Sequence, residues 1–448
     1  MLEAAKKRLS VLVPDRTQWT KVDEAIYGVD DLFRVDKAKA QKLLLEAIRY
    51  SFRYHFENNA FYRRFCQGEH ITPDVIKDYS DLVRIPLIPD TFFKDYPSGS
   101  DFFRWLQKIT SVTVPQIELN GANSSFDAVI AALEEKKFRI TYSSGTSGKF
   151  SFHPRDALSW KRHQYCAASS LMEILGSFYD PGIAKMSLGP NAQKTNLFLG
   201  KVDEYSALLF AKENCTNLID EKVTTESIRI GSGRTKGVRE WMRAKLATRA
   251  RQRMVSDFAE KLAGYAAEKR KVYLIGPPSV MNVVLSKLQD KKKEVYLGNN
   301  AFIVTAGGWK VRGGAPMPEK EFRELVKERL GVPDENSRDL YGMSECSCSF
   351  PACEGHYKHI PHSVIYPMVL DDDLKPLGYG KYGRFAFLDP VPTSYPGFII
   401  TGDRARILES CPSCDREGPV IESDVSRMGG VEDRGCGRIL NQLIGGKT

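Results

Sequence analysis

Between residues 271 and 341, short β-prone apolar runs alternate with amphipathic ones. Runs 271–275, 302–305 and 338–341 read as strands. Residues 278–288, opened by Pro277-Pro278, and residues 319–330 read as helices. This alternation predicts an α/β chain built on a mostly parallel sheet covered by helices. Ligands of such sheets bind beyond the carboxyl ends of the strands. The segments that follow the strands are therefore where function is sought: Ala306-Gly307-Gly308 and Tyr341-Gly342-Met343-Ser344-Glu345.

A third segment of this kind comes earlier. Residues 138–142 are β-prone, and Ser143-Ser144-Gly145-Thr146-Ser147-Gly148-Lys149 follows them. Glycines let backbone N–H groups approach an anion, hydroxyls add donors, and the lysine adds positive charge, so the loop suits a phosphate chain. It is not a Walker A loop, which has four residues between its first glycine and Gly-Lys where this one has two. An ordinary Gly/Ser turn is the rival reading.

Elsewhere, residues 37–66 read as an amphipathic helix and 160–175 as another. Pro86 and Pro89 exclude regular helix from 81–89. Beyond residue 360 short β-prone runs take over at 364–370, 383–388, 397–401, 405–408 and 420–422. A helix around residues 238–262 carries Arg239, Arg243, Lys245, Arg249, Arg251 and Arg253. Val238, Met242, Leu246, Ala250, Met254, Phe258 and Leu262 are its expected buried stripe. The charges read as a solvated face or an acidic partner's docking surface. Nucleic acid is not expected, because no aromatic-interleaved basic motif accompanies them.

Cys353, His359 and the pair Cys411-x-x-Cys414 have the donor types of a tetrahedral zinc site, with His356 competing for the histidine position; four unconnected residues is the rival reading. Cys346 and Cys348 alternate on a strand-like run and read as packing residues. The chain has nine cysteines and no apolar leader at Met1–Arg8, which predicts a reducing, cytoplasmic setting. No apolar run is long enough to span a bilayer.

The order glycine loop, Tyr341-Gly342-Met343-Ser344-Glu345, Thr401-Gly402-Asp403 resembles the adenylate-forming enzymes. Cys353, His359 and the later cysteine pair resemble the phenylacetate–CoA ligase-like branch. Ser426-Arg427 and Arg434-Gly435-Cys436-Gly437 resemble the C-terminal Gly-Arg…Arg-Gly-Cys segment of the acyl-protein synthetases of luminescence-type fatty acid reductase systems. Residues 57–62, 85–94 and 307–310 resemble that family too. One departure is that Ser426 stands where the family has glycine.

The resemblance implies an adenylate-forming-enzyme-like large domain, a small β subdomain and a truncated C-terminal tail. Residues 1–130 would be the N-terminal helical and extended part of the large domain, and 131–360 the α/β nucleotide-binding core. Residues 361–425 would form the β subdomain with the zinc site, and 426–448 the segment carrying Cys436. It implies ATP-dependent activation of a carboxylic acid, expected to be a fatty acid, to an acyl-adenylate. Transfer to Cys436 as a thioester follows, then delivery to an acyl-accepting protein such as a reductase or acyltransferase.

Ser143, Ser144, Gly145, Thr146, Ser147, Gly148 and Lys149 would wrap the phosphates. Gly307 and Gly308 would admit adenine, and Tyr341, Gly342 and Ser344 would line the nucleotide. Asp403 would bind the ribose hydroxyls, Glu345 would hold Mg²⁺, and Cys353, His359, Cys411 and Cys414 would hold structural Zn²⁺. Arg427 would serve as a hinge residue. Too few residues follow Asp403 for the usual mobile domain with its catalytic lysine, so Lys310 is the expected substitute and Lys447 its rival. Gly435 and Gly437 leave Cys436 mobile, and Arg434 and Arg438 favour its thiolate. The alternatives are a phenylacetate-type acyl-CoA ligase and a binding module without turnover.

Overall fold

In a computed structural model of the chain, residues 3–97, 101–118, 125–143, 149–231, 238–290, 294–308 and 317–428 are described. The alternating region forms a six-stranded sheet. Strands Cys215–Ile219, Ala184–Pro190, Val272–Gly276, Ala301–Ala306 and Ser337–Tyr341 lie side by side in parallel, and Phe350–Pro351 closes the edge antiparallel. Strand parity sorts the core. Val272, Leu274, Ala301 and Ile303 pack with Phe258, Leu262, Met281, Leu285, Phe322 and Val326 from three helices. Tyr273, Phe302 and Val304 face the other core, shared with the N-terminal helices. Both faces are therefore covered, as the near-continuous apolar strands require.

The helix Glu319–Leu330 follows the expected span and ends on Gly331 at φ 67°, a left-handed C-terminal stop. Residues 37–66 do not form one helix. Lys37–Asn58 and Ala60–Gly68 are separated by Asn59, whose side chain accepts from Tyr62 N and donates to the Ile109 carbonyl. A cap buried at a helix junction outweighs a continuous periodicity. The basic helix spans Val238–Ala267; of its expected stripe Phe258 and Leu262 are buried and Ala250 is exposed, while Val255 and Ala259, outside the stripe, are also buried. Steps of four residues advance about 400° around a helix, so such a stripe drifts off one face within a few turns.

Beyond residue 360, the runs at 397–401 and 405–408 are one strand, Gly397–Leu408, at the centre of a seven-stranded sheet. Tyr382–Asp389 and Tyr366–Leu370 extend it antiparallel on one side. Val420–Ile421 and Lys358–His359 continue it on the other. Two short strands complete it. Ile88–Pro89 pairs parallel with Ile399 and Ile400, and Ser426–Arg427 pairs with Arg404 and Asp403. The sheet thus draws a strand from the proline-rich stretch near residue 88. Among the described residues no helix is long and apolar enough to cross a membrane.

Candidate active site

The carboxyl ends of two neighbouring strands define the cleft. Ala301–Ala306 runs into Gly307 (φ 84°) and Gly308 (φ 66°), left-handed positions that disfavour any side chain. Next to it, Ser337–Tyr341 delivers Tyr341, followed by Gly342, where a Cβ would lie 2.7 Å from Ser349 Oγ. The two strand ends are tied by Thr305 Oγ1, which donates to Asp339 Oδ1 at 2.6 Å.

From the other sheet, Asp403 faces Tyr341. The Tyr341 hydroxyl donates to Asp403 Oδ2 at 2.7 Å, and Arg427 Nε lies 3.1 Å from Asp403 Oδ1. Arg427 reaches this position because it pairs with Asp403 across adjacent strands. Its guanidinium passes over Gly402, where a Cβ would stand 2.7 Å from Nη1. Arg427 Nη1 also lies 3.8 Å from Asp90 Oδ2, which accepts from Lys94 Nζ at 2.7 Å. Each Asp403 oxygen keeps a second lone pair, so the carboxylate can accept from a further hydroxyl.

Glu345 is buried beside this chain of charges. Burial raises its pKa, the Asp90 carboxylate adds to that, and Lys94 and the Ser344 hydroxyl pull it back. Ser344 Oγ donates to Glu345 Oε2 at 3.1 Å. His153 Nε2 is 3.7 Å from Glu345 Oε1. Burial, Arg155 and Lys94 hold that imidazole well below its ordinary pKa. Two buried carboxylates, Asp90 and Glu345, near Lys94 and Arg427 offer the oxygen donors that a hard divalent cation prefers.

Behind Glu345, the fully buried Arg155 donates to the Ser344 carbonyl at 2.5 Å, to Tyr395 Oη at 3.1 Å and to Thr141 Oγ1 at 2.7 Å. Asp389 accepts from Ser347 N at 2.7 Å, and burial pushes its pKa up to about 6. The Ser344–Glu345 turn is thereby fixed from two sides.

The glycine loop joins strands Arg139–Ser143 and Ser151–Arg155, paired with Ser143 opposite Ser151. The second strand carries His153 and Arg155, so the hairpin is anchored on the residues that hold Glu345. Ser143 is half-buried and Lys149 exposed at the feet of the loop. Ser144, Gly145, Thr146, Ser147 and Gly148 lie outside the described residues, as do Lys310, Lys447 and Cys436 with Arg434 and Arg438.

Cys353, His359, Cys411 and Cys414 converge, with their donor atoms within 4.8 Å of one another. Cys353 Sγ to Cys411 Sγ is 3.8 Å, and Cys414 Sγ to His359 Nε2 is 3.3 Å. A tetrahedron with zinc–sulfur bonds of about 2.3 Å has sulfur–sulfur edges of about 3.8 Å. Burial pushes the Cys353 thiol up, but hydrogen bonding with His359, Ser413 and nearby backbone brings it below the ordinary thiol range. Arg416 places Nη1 3.4 Å from Cys414 Sγ. The donor set and spacing fit zinc. His356 is elsewhere, its Nε2 2.7 Å from Asp334 Oδ2. Cys346 and Cys348 are buried, but in turns between strands rather than on one.

Sequence reasoning gave no role to Asp90, Lys94, His153, Arg155 or Tyr395. Asp90 and Lys94 sat in a stretch, 85–94, that carried family likeness without chemistry. His153 and Arg155 follow the glycine loop at alternate positions of a strand, a pattern that does not distinguish a site from a core.

The architecture is that of the adenylate-forming enzymes. Crystal structures of 2-hydroxyisobutyryl-CoA ligase with 2-HIB-AMP and CoA superpose with TM-scores of 0.61 and 0.59, over 88% of this chain and 71% and 70% of theirs, at 14% and 16% identity. Residues 247–445 are similar to the family described as Acyl-protein synthetase, LuxE. The chain is 24% identical over 425 residues to the long-chain-fatty-acid–luciferin-component ligase of Aliivibrio fischeri, covering 93% of this chain and 94% of that one. The Vibrio harveyi ligase of the same name is 23% identical over 432 residues, 96% of this chain and 95% of that one.

Proposed function

We propose that the protein is an ATP-dependent acyl-protein synthetase. It would convert a fatty acid and ATP to acyl-adenylate and pyrophosphate, then move the acyl group to the Cys436 thiolate with release of AMP. The observation that carries this reading is the convergence of Tyr341, Asp403, Arg427 and Glu345 beyond the carboxyl end of the parallel strand Ser337–Tyr341.

The reaction joins two anions, so the site must neutralise charge and hold them in line. Asp403 accepts from the ribose hydroxyls, and Tyr341 and Arg427 fix its orientation. The left-handed turn at Gly307 and Gly308 leaves room for the adenine. Ser143 to Lys149 supply backbone donors and charge for the β- and γ-phosphates. Glu345 holds Mg²⁺, which would screen the phosphate oxygens. Lys310 is the adenylation lysine in this reading. The Cys353, His359, Cys411 and Cys414 cluster holds a structural zinc that ties the segment after Glu345 to the end of the strand carrying Asp403. The acceptor is a partner protein that takes the acyl group from Cys436, an acyl reductase being the expected type.

The test is acid-dependent ATP–pyrophosphate exchange on the full chain with a long-chain fatty acid. Exchange that requires both the acid and Mg²⁺ supports the reading. Absence of exchange with fatty, short and aromatic acids alike rules it out.

A further inference from the structure

Lys358 is only 2% exposed, and the adenylation chemistry gives it no role. Its Nζ donates to Glu319 Oε2 at 3.0 Å and to the Ser423 carbonyl at 3.0 Å, and lies 3.5 Å from Asp339 Oδ2. A buried ammonium is tolerated only when compensated in this way. These acceptors come from three separate parts of the chain. Glu319 opens the helix Glu319–Leu330. Asp339 lies in the strand that ends in Tyr341, and its other oxygen accepts from Thr305, just before Gly307 and Gly308. Ser423 lies between the strand Val420–Ile421 and Arg427, the ion-pair partner of Asp403.

Two of the three connections, through Asp339 and through Ser423, therefore lead to residues of the proposed nucleotide site. Lys358 itself is held by its neighbour. His359 belongs to the cysteine–histidine cluster, and the short strand Lys358–His359 pairs with Val420–Ile421.

We propose that Lys358 is a positioning residue for nucleotide binding. Its ammonium keeps the Gly307–Gly308 turn, Tyr341 and Arg427 in mutual register, and the cysteine–histidine cluster anchors the ammonium. The inference rests on the adenylation reading and adds to it. The cysteine–histidine cluster then serves nucleotide affinity as well as stability.

The experiment titrates the full chain with an N-methylanthraniloyl-ATP probe, alongside KM for ATP and for the acid in pyrophosphate exchange. Metal content is followed by elemental analysis. Lys358→Met should weaken probe binding about ten-fold, the scale of losing a partner that orients a ligating group. KM for ATP should rise in parallel, with KM for the acid unchanged. Thr305→Val, which cuts the link at Asp339, should shift both readings the same way by less. A folded Lys358→Met with wild-type probe affinity, or with equal increases in both KM values, overturns the inference. If Lys358→Met does not fold, Thr305→Val decides by the same readings. A wild type that binds no probe overturns the adenylation reading instead.

Discussion

Asp403 and Glu345 have opposite electrostatic settings within one cleft. Asp403 is held by a hydroxyl and a guanidinium. Glu345 is buried with no cation bound directly to it in the described residues, and its pKa is raised. Tyr341→Phe deletes one oriented donor to a carboxylate, a loss of about 1.5–3 kcal/mol. Steady-state exchange should show KM for ATP rising about ten-fold or more, with kcat much less affected. Glu345→Gln should abolish Mg²⁺-dependent exchange yet raise thermal stability at high pH. The sign follows from the raised pKa. Between the ordinary carboxylate value and the raised one, the folded chain binds more protons than the unfolded chain, so wild-type stability falls as pH rises through that window. Melting curves at pH 4 and pH 8 check this. The variant should lose less stability than wild type on going from the lower to the higher pH.

At the scale of elements, strand ends bring the candidate site residues together, and the four cysteine and histidine side chains converge between the segments after residues 352 and 410. Elemental analysis should find one zinc per chain, and Cys411→Ser should lose the metal and lower the unfolding temperature. His356→Ala should keep the metal, because His356 pairs with Asp334. The strand–helix alternation at 271–341 was legible because parallel strands buried on both faces read as continuous apolar runs. The break at Asn59 was passed over because the apolar period continues across it, although Asn59 caps the following helix locally by accepting from Tyr62 N. The strand at Ile88–Pro89 was hidden by Pro86 before it and Pro89 within it, the latter tolerated in so short a piece at the sheet's periphery. That Tyr341, Glu345 and Asp403 would come together was legible from the order of their motifs. Arg155, His153 and Asp90 were not, because their roles come from contacts across long stretches of chain.

For the molecule as a whole, long-range buried charges fix how the N-terminal helices sit on the rest. Arg162, in the helix Ala157–Leu175, donates to both oxygens of Asp23 at 2.8 and 2.5 Å, and both residues are almost fully buried. Burial alone would raise the Asp23 pKa, but Arg162 and Thr20 bring it below the ordinary value. Asp23→Ala leaves a guanidinium buried without its carboxylate and should cost about 3–5 kcal/mol in denaturant unfolding. Replacing both residues with apolar ones should recover part of that loss. The central claim, that one cleft makes an acyl-adenylate which the chain's own thiol then consumes, is tested most directly with Cys436→Ser. Incubated with radiolabelled fatty acid and ATP, the variant should keep wild-type pyrophosphate exchange and lose the hydroxylamine-labile label that the wild type carries on a denaturing gel. A variant that still carries the label, or one that forms acyl-CoA at the full wild-type rate, would contradict the account.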